Sequence, residues 1–282
     1  MEQRGEGGLL GLALHPRFKE NKWIYLYFTT RDEAGLKNQV VRYVFENNRL
    51  SGKKIIVDRI PAATFHNGGR IQFGPDGLLY AGTGDAGDSQ SAQDPQALAG
   101  KILRVREDGS LPPDNPFGNP VFSYGHRNVQ GLAWDDQRRL WATEHGRSGL
   151  FSGYDELNLI EKGKNYGWPV IQGDETRAGM VAPVIHSGPD VTWAPSGARH
   201  YRGSIFFAGL RGQTLYQARL DTAGGVEKLV GYFKGTFGRL RTVVLGPDGL
   251  FYLLTSNTDG RGRLGKSDDR IVTVDPGKMG AP

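Results

Sequence analysis

Short runs of alternating apolar and polar residues recur along the chain, and each is followed by a turn and a second such run. Residues 69–84 read GRIQFGPDGLLYAGTG, and residues 242–256 read TVVLGPDGLFYLLTS. In both turns Pro presets the backbone φ angle, and the Asp-Gly pair after it permits a tight reversal. The pattern predicts β-hairpins here and, with looser turns, at three further places: residues 9–28, 130–143 and 196–220.

The spacing of these hairpins predicts the fold class. They recur at roughly 45–65 residues, the length that one four-stranded blade of a β-propeller occupies. Helical periodicity is nearly absent, and only residues 95–103 are compatible with a short turn of helix. A β-sandwich would show more even strand spacing and no recurring GPDG turn. We therefore predict an all-β propeller that forms a single domain over residues 1–282.

Composition narrows the functional classes. The chain has 282 residues with 42 glycines, a proportion that indicates many tight turns. The absence of cysteine excludes a disulfide framework, a thiolate zinc site and a cysteine nucleophile. The 35 Lys and Arg residues are interspersed with 30 Asp and Glu residues, and no apolar run reaches membrane-spanning length. We expect neither nucleic-acid binding nor a membrane span.

Two segments that enter neighbouring hairpins carry candidate catalytic chemistry. Residues 65–70 read FHNGGR, in which His66 stands near two glycines that permit close approach of a ligand. Histidine is the side-chain type most often used for proton transfer. His66 is a candidate general base, and a histidine that is hydrogen-bonded within a loop is the alternative. Residues 124–131, YGHRNVQG, lie at the equivalent place before the next hairpin. We therefore expect His66, Arg127 and Asn128 to lie close together.

The last third of the chain is rich in arginine, the residue best suited to bidentate recognition of carboxylates and phosphates. In residues 238–241, GRLR, strand alternation places Arg239 and Arg241 on the same face. Two neighbouring guanidinium groups repel each other unless an anion lies between them. The pair therefore predicts an anion site, with a solvent-facing pair as the alternative.

Oxygen-donor residues in three segments suggest calcium. Residues 144–146 (EHG), 155–158 (DELN) and 165–169 (NYGWP) combine carboxylates, amides and exposed carbonyls. The spacing does not match an EF-hand, and ordinary loop capping by Asp and Asn explains these residues equally well. Residues 82–88, GTGDAGD, do not form a phosphate-binding loop, because they precede no helix and contain no lysine.

Together these segments resemble the soluble PQQ-dependent glucose/sorbosone dehydrogenase family, and most closely its bacterial aldose sugar dehydrogenases. The resemblance covers essentially the whole chain and is carried by residues 5–16, 66–69, 84–85, 125–131, 155–160, 165–169 and 238–241. It implies oxidation of aldoses at C1 to lactones with PQQ and Ca²⁺, an external electron acceptor, and a periplasmic or secreted location. It also implies a six-bladed propeller whose first blade is incomplete or missing here, because the family's first hairpin lies upstream of residue 5. We expect from this that the chain begins inside its gene product, because an open ring would leave two unpaired edges; five full blades, or closure of the ring by another segment, are the alternatives.

The resemblance also implies a role for individual residues. His66 would be the general base, and Arg127 would polarise the reacting quinone oxygen. Glu6, Asp85 and Gln90 would lie on the substrate side, with Asp85 also counted as catalytic. The PQQ-binding positions would be Asn128, Thr192, Arg211, Arg239 and Arg241. Backbone carbonyls of Gly146 and Arg147 would bind the active-site calcium, before a loop at residues 148–154 that is longer than in the glucose enzymes, and Glu156 and Tyr166 would bind a second, structural calcium.

Two other functions are compatible with the same fold. One is a non-catalytic propeller that binds a sugar or a protein, since a fold does not determine a function. The other is a metal-dependent lactone hydrolase, which would need carboxylates without an arginine clamp. The presence of His66, Arg127, Arg239 and Arg241 together favours the dehydrogenase.

Overall fold

The computed structural model describes residues 1–147 and 153–279, which fold into short antiparallel sheets. Neighbouring strands in every sheet follow one another along the chain, as in the blades of a propeller. Each of the five predicted hairpins lies in a different sheet. The predicted hairpins and the all-β propeller fold are therefore confirmed.

Contacts divide the chain into two compact units. The first comprises residues 1–130 and 161–182, and the second comprises residues 131–160 and 183–282. The prediction of a single domain over residues 1–282 stays a prediction.

The first unit contains two four-stranded sheets. One consists of β1 (Leu9–Leu14), β2 (Trp23–Asp32), β3 (Gly35–Glu46) and β4 (Arg49–Pro61). The other consists of β5 (Ile71–Phe73), β6 (Leu79–Gly82), β7 (Lys101–Val105) and β8 (Val121–Tyr124). Aromatic and branched residues of both sheets, including Tyr25, Tyr27, Val40, Ile60 and Leu103, form one buried core.

The second unit contains most of a third sheet and two further sheets. The third sheet consists of β9 (Val129–Trp134), β10 (Leu140–Glu144), β11 (Glu156–Ile160) and β12 (Ile185–His186). The fourth consists of β13 (Pro195–Tyr201), β14 (Ser204–Gly209), β15 (Leu215–Leu220) and β16 (Val226–Tyr232). The fifth has three strands, namely β17 (Leu240–Leu245), β18 (Phe251–Thr255) and β19 (Ile271–Val274). Two clusters of buried residues form the core of the second unit, one around Trp141 and Phe207 and one around Phe206 and Phe251.

The expectation of six blades with an incomplete first blade is wrong. The described residues form five blades, and the first of them has four strands. That expectation rested on the family likeness and not on residues 35–61, which supply β3 and β4. Residues 49–55 of β4 are all exposed and largely polar, so this strand carries little alternation. The turn between the strands, Asn47-Asn48, has φ angles of 49° and 58°, which suit a tight hairpin.

Helices are few and short in the described part of the chain. They are α1 (Phe18–Asn21) and two 3-10 helices, Ser89–Gln93 and Pro276–Lys278. Residues 95–103, whose pattern is compatible with a short turn of helix, form none, because Lys101–Leu103 belong to β7 and Gly100 has a φ angle of +65°. None of the helices in the described ranges has the length and apolar character needed to cross a bilayer.

Candidate active site

His66 and Asp85 form a buried pair in the first unit. His66 lies between β4 and β5, and Asp85 lies three residues after β6. The imidazole Nδ1 and Oδ1 of Asp85 are 2.8 Å apart. The side chain of His66 is 15% exposed, whereas that of Asp85 is 2% exposed. The ring is therefore held on its buried side and open on the other.

The backbone around His66 is held in an unusual conformation. His66 has a φ angle of 54°, and its N–H donates to Oε2 of Glu6 at 3.0 Å. Its carbonyl accepts from the N–H of Ala86 at 3.1 Å. A Cβ at Gly84 would lie 1.9 Å from this carbonyl oxygen, so only glycine permits the approach. Gly84 thus brings the His66 turn against the segment that carries Asp85.

Asp85 is itself fixed by two further donors. The indole Nε1–H of Trp168 donates to its Oδ2 at 2.9 Å, and the N–H of Gly87 donates to its Oδ1 at 2.9 Å. Burial acts to raise the pKa of Asp85, but the hydrogen bonds from His66, Gly87 and Trp168 outweigh it and lower the pKa. The carboxyl is therefore ionised at neutral pH.

This arrangement sets the chemistry of the imidazole. An ionised carboxylate only accepts hydrogen bonds, so Nδ1 of His66 carries the hydrogen that Asp85 receives. The lone pair then lies on Nε2, the nitrogen that remains for a substrate proton. A neutral histidine oriented by a carboxylate is suited to general-base catalysis near neutral pH.

Arg127 and Asn128 adjoin the same segment, as the sequence predicts. The N–H of Asp85 donates to the carbonyl of Arg127 at 2.8 Å, and Asn128 forms an isolated β-bridge with Gly84. Both side chains are buried, and the Arg127 guanidinium lies 5.3 Å from the centre of the Trp168 ring. Oδ1 of Asn128 accepts from the N–H of Gly68 at 2.9 Å. The structure thus brings His66, Asp85, Arg127 and Asn128 together.

The two predicted substrate-side residues differ in their surroundings. Glu6 is half-buried, and one of its carboxylate oxygens accepts from the His66 N–H. Gln90 lies in the 3-10 helix Ser89–Gln93 and is exposed. Glu6 therefore has a structural contact with the candidate base, whereas Gln90 is free to meet solvent or a ligand.

Sequence reasoning missed two residues that support His66. Asn67 is 3% exposed and its Oδ1 accepts from Asn38 and from the N–H of Ala63, both at 3.1 Å. The hydroxyl of Tyr27 donates to the Asn67 carbonyl at 2.9 Å. Trp168, the second residue, lies in the NYGWP segment that the sequence indicated only for its oxygen donors. Asn67 could have been identified from its place between His66 and two glycines, where a short polar side chain is suited to hold a turn.

In the second unit, Arg239 and Arg241 flank a carboxylate. Nε and Nη2 of Arg239 donate to Oδ2 of Asp259 at 2.9 and 2.8 Å, and Nη2 of Arg241 lies 3.5 Å from the same oxygen. Arg241 also donates to the Ser256 hydroxyl at 3.1 Å. Burial acts to raise the pKa of Asp259, but hydrogen bonding to Arg239 and the charge of Arg241 lower it. The predicted anion between the arginines is thus supplied by the chain itself.

The other two predicted PQQ-binding residues, Thr192 and Arg211, also lie in the second unit. Arg211 is exposed in the turn between β14 and β15. Thr192 is half-buried and precedes Trp193, whose N–H donates to Oδ2 of Asp155 at 2.7 Å. The structure gives each a defined backbone position, and their roles stay predictions.

The predicted active-site calcium ligands also adjoin Asp155. Gly146 donates its N–H to Oδ1 of Asp155 at 2.9 Å, so one carboxylate ties this residue to the Trp193 backbone. The Arg147 carbonyl accepts from the N–H of Gly153 at 3.3 Å. Residues 148–152 of the predicted longer loop lie outside the described residues.

Glu156 faces another carboxylate across the sheet. It pairs directly with Glu144 on β10 and with His186 on β12, so the three side chains share one face. Burial and the charge of Glu144 raise the pKa of Glu156 well above its ordinary value. Asn158 donates to Oε2 of Glu156 at 3.0 Å, whereas its own buried Oδ1 has no hydrogen-bond partner among the described residues.

This donor set fits a calcium ion. Two carboxylates and an amide oxygen are hard donors of the kind that Ca²⁺ prefers, and a divalent cation would relieve the repulsion between Glu144 and Glu156. Within residues 1–147 and 153–279, no group of three or more His, Asp or Glu side chains has the geometry of a metal site. Tyr166, the other predicted ligand, belongs to the first unit, where its ring stacks on His126 at 4.8 Å between centroids.

Residues 1–265 match the family model described as Glucose / Sorbosone dehydrogenase. The chain is similar to aldose sugar dehydrogenase YliI of Escherichia coli, with 31% identity over 288 residues that cover 91% of this chain and 76% of that protein. It is 35% identical to quinoprotein glucose dehydrogenase B of Acinetobacter calcoaceticus over 206 residues, which cover 62% of this chain and 42% of that protein. The solved PQQ-bound aldose sugar dehydrogenase of Streptomyces coelicolor superposes with a TM-score of 0.89 at 44% identity, covering 96% of this chain and 80% of that chain.

Proposed function

Because this chain belongs to the glucose/sorbosone dehydrogenase family, we propose that it oxidises aldose sugars at C1 to lactones, with PQQ and Ca²⁺ as cofactors. The relatives indicate a sugar dehydrogenase of the quinoprotein type. The single observation that carries the finer proposal is the His66–Asp85 pair, which leaves Nε2 of His66 for a substrate proton. The backbone of Arg127 adjoins that of Asp85. An external electron acceptor and a periplasmic or secreted location are part of the same proposal.

The proposed reaction removes two electrons and two hydrogens from the sugar. Nε2 of His66 accepts the proton of the C1 hydroxyl, while Asp85 stabilises the imidazolium that forms. When bound, PQQ would supply the acceptor for the hydride that leaves C1. Trp168 and Gly87 keep Asp85 ionised and oriented throughout, because both donate to its carboxylate.

The residues present fit a planar tricarboxylate such as PQQ. In the second unit, Arg239 and Arg241 already share the carboxylate of Asp259, so their guanidinium groups are placed to donate to a carboxylate. We propose that they bind the carboxylates of PQQ, together with Arg211 and Thr192. In the first unit, Asn128 would bind the cofactor and Arg127 would hold the oxygen on which negative charge develops.

The residues also fit calcium, in two roles. The Gly146 and Arg147 carbonyls would hold the ion that belongs to the active site. In the second unit, Glu156 would hold a structural ion, and we add Glu144 and Oδ1 of Asn158, which has no hydrogen-bond partner among the described residues, to its environment. Glu6 and Gln90 would contact the sugar.

The test is cofactor binding followed by turnover. PQQ is titrated into EDTA-treated protein with and without Ca²⁺, and glucose or xylose is then added with a redox dye. We expect Ca²⁺-dependent PQQ binding and sugar-dependent dye reduction. A folded protein that binds PQQ under neither condition would contradict the proposed function.

The role of His66 is tested by His66→Ala. We expect turnover to fall by about 10²- to 10⁴-fold while PQQ remains bound, because the proton acceptor is lost. His200→Ala is the matched control, since Nδ1 of His200 also faces an aspartate, Asp136, at 3.6 Å but lies outside the site. Wild-type turnover in His66→Ala would exclude His66 as the base.

A further inference from the structure

Lys101, the first residue of β7, is a fully buried cation in the first unit. Its side chain is 0% exposed, and its Nζ donates to three backbone carbonyls, those of Ser91, Ala92 and Ala99, at 2.8, 3.0 and 2.5 Å. Among residues 1–147 and 153–279 it forms no ion pair. A buried ammonium without a carboxylate partner is uncommon, and here all three of its N–H groups have acceptors.

The three carbonyls belong to the segment that links Asp85 to Lys101. This segment contains the 3-10 helix Ser89–Gln93 and then runs without regular structure to β7. Lys101 therefore binds both halves of this connection. Several of the connection's own main-chain hydrogen bonds span three residues, as from the N–H of Asp94 to the Ser91 carbonyl and from the N–H of Ala97 to the Asp94 carbonyl. Its N–H also donates to the Thr83 hydroxyl at 2.8 Å, which fixes the base of the connection.

Gln93 connects the segment held by Lys101 to Trp168 through hydrogen bonds. Its Nε2 donates to the Trp168 carbonyl at 2.6 Å and to Oδ1 of Asn165 at 3.1 Å, and its Oε1 accepts from Nδ2 of Asn165 at 2.8 Å. Gln93 directly follows Ala92, one of the residues that Lys101 holds. The indole of Trp168 in turn donates to Asp85, which orients His66.

We propose that Lys101 is a positioning residue for the candidate base: its ammonium holds the 89–99 segment so that Gln93 and Trp168 keep Asp85 on the His66 imidazole. The effect on catalysis rests on the proposed function, whereas the hydrogen bonds that connect Lys101 to Asp85 are independent of it. Every link is a hydrogen bond of 2.5–3.1 Å within the first unit.

The chemistry of lysine suits this position. An ammonium offers three N–H groups, one for each of the three carbonyls, whereas a neutral amine offers two. The Ser91 and Ala92 carbonyls also accept from the N–H groups of Asp94 and Gly125. Burial lowers the pKa of Lys101 to about 7, and the charge of Asp94 acts in the opposite direction. The ammonium is therefore the main form of Lys101 only below about pH 7, and the three carbonyls stabilise that form.

The experiment compares Lys101→Met, which keeps the side-chain length, with Lys54→Met, which removes an exposed lysine from β4. Apoprotein labelled with 5-fluorotryptophan gives one ¹⁹F resonance for each of its five tryptophans, and Trp168→Phe identifies that of Trp168. We expect Lys101→Met to shift or broaden the Trp168 resonance and to leave the other four in place. Lys54→Met should change none.

Turnover provides the second readout. We expect kcat/KM of the PQQ-loaded Lys101→Met protein to fall by about 10- to 100-fold, since a small displacement of a catalytic group has effects of this size. If Lys101→Met does not fold, Gln93→Leu interrupts the same path without opening the buried site and should shift the Trp168 resonance equally. An unchanged Trp168 resonance in a folded variant, or equal movement of all five resonances, would overturn the proposal.

The two proposals fail in different ways. Wild-type protein that binds no PQQ and oxidises no aldose contradicts the proposed function, whatever the resonances show. Wild-type activity combined with an unmoved Trp168 resonance in both variants contradicts only the role of Lys101.

Discussion

At the scale of single residues, the candidate site shows how far residue chemistry can be predicted. The sequence indicated that Arg239 and Arg241 share a face and require an anion between them, and the structure places Asp259 there. Asp259 could not be found from the sequence because it lies 20 residues from Arg239, in a loop without periodicity. The need for an anion could be predicted from the two arginines, but the residue that supplies it could be identified only from the fold.

Asp259→Asn should destabilise the protein by about 1 kcal/mol, because two guanidinium groups would then face each other without a counter-charge. We expect millimolar citrate, a soluble polycarboxylate, to restore the thermal midpoint of the variant and to change that of the wild type less. Differential scanning fluorimetry measures both. Asp275→Asn is the control, since Asp275 pairs with the exposed Lys278 and an asparagine oxygen can still accept from the N–H of Gly277. An equal response of variant and wild type to citrate would refute the role of Asp259.

At the scale of elements, the recurring turn has a recurring hydrogen-bond pattern. In the GPDG turn of the second blade, Asp76 accepts from the N–H of Leu78 and from the Tyr80 hydroxyl at 2.9 Å. In that of the fifth blade, Asp248 accepts from the N–H of Leu250 and from the Tyr252 hydroxyl at 2.7 Å. The Asp thus closes the turn and binds the aromatic residue four positions later.

The two turns allow a matched comparison of Asp76→Ala with Asp248→Ala. Tyr80 is 4% exposed, and burial followed by the charge of Asp76 raises its pKa, whereas Tyr252 is more exposed. We expect Asp76→Ala to cost about 1–2 kcal/mol, because it leaves a buried hydroxyl without this acceptor, and Asp248→Ala to cost about 0.5 kcal/mol or less. Urea unfolding measures the difference. Equal costs would show that burial of the tyrosine is irrelevant to the turn.

The hairpins could be predicted because their signals are local. Alternation and turn residues lie within about 15 residues of one another, and each sheet pairs strands that follow in sequence. Residues 95–103 form no helix, although their pattern is compatible with a short helical turn, because Gly100 has a φ angle of +65° and Lys101 begins β7. Contacts such as Trp168 with Asp85, which are 83 residues apart, leave no local pattern.

At the scale of the whole molecule, the likeness to a family predicted chemistry better than it predicted architecture. The match over residues 1–265 supports the quinoprotein assignment. The number of blades taken from the same likeness was wrong, because residues 35–61 supply the two strands that complete the first blade. The number of blades follows from which strands of this chain pair with one another, and a family likeness does not determine it.

The stability of the whole molecule should depend on calcium and pH through Glu156. Its pKa is raised in the folded protein, so the unfolded chain loses this proton first as pH rises above about 4.5. In EDTA, the free energy of unfolding therefore decreases towards neutral pH. We expect Glu156→Gln to raise the thermal midpoint in EDTA at pH 7 by about 2–4 °C and to lose most of the stabilisation by Ca²⁺.

Glu227→Gln, which changes an exposed glutamate on β16, is the control for this measurement. Thermal unfolding of all three proteins at pH 5 and pH 7, each with EDTA or Ca²⁺, separates the two effects. Full stabilisation of Glu156→Gln by Ca²⁺ would exclude Glu156 as a ligand.

The bonds that Lys101 makes go to main-chain carbonyls, so they do not depend on the identity of the side chains along the segment. Asp94 and Gln96 are exposed between these fixed points. Replacement of the exposed Gln96 therefore leaves the three carbonyl contacts in place, whereas replacement of Asp94 removes a charge that favours the protonated form of Lys101. Most side chains of this stretch can thus vary in evolution or in a designed library while its backbone keeps the same anchor.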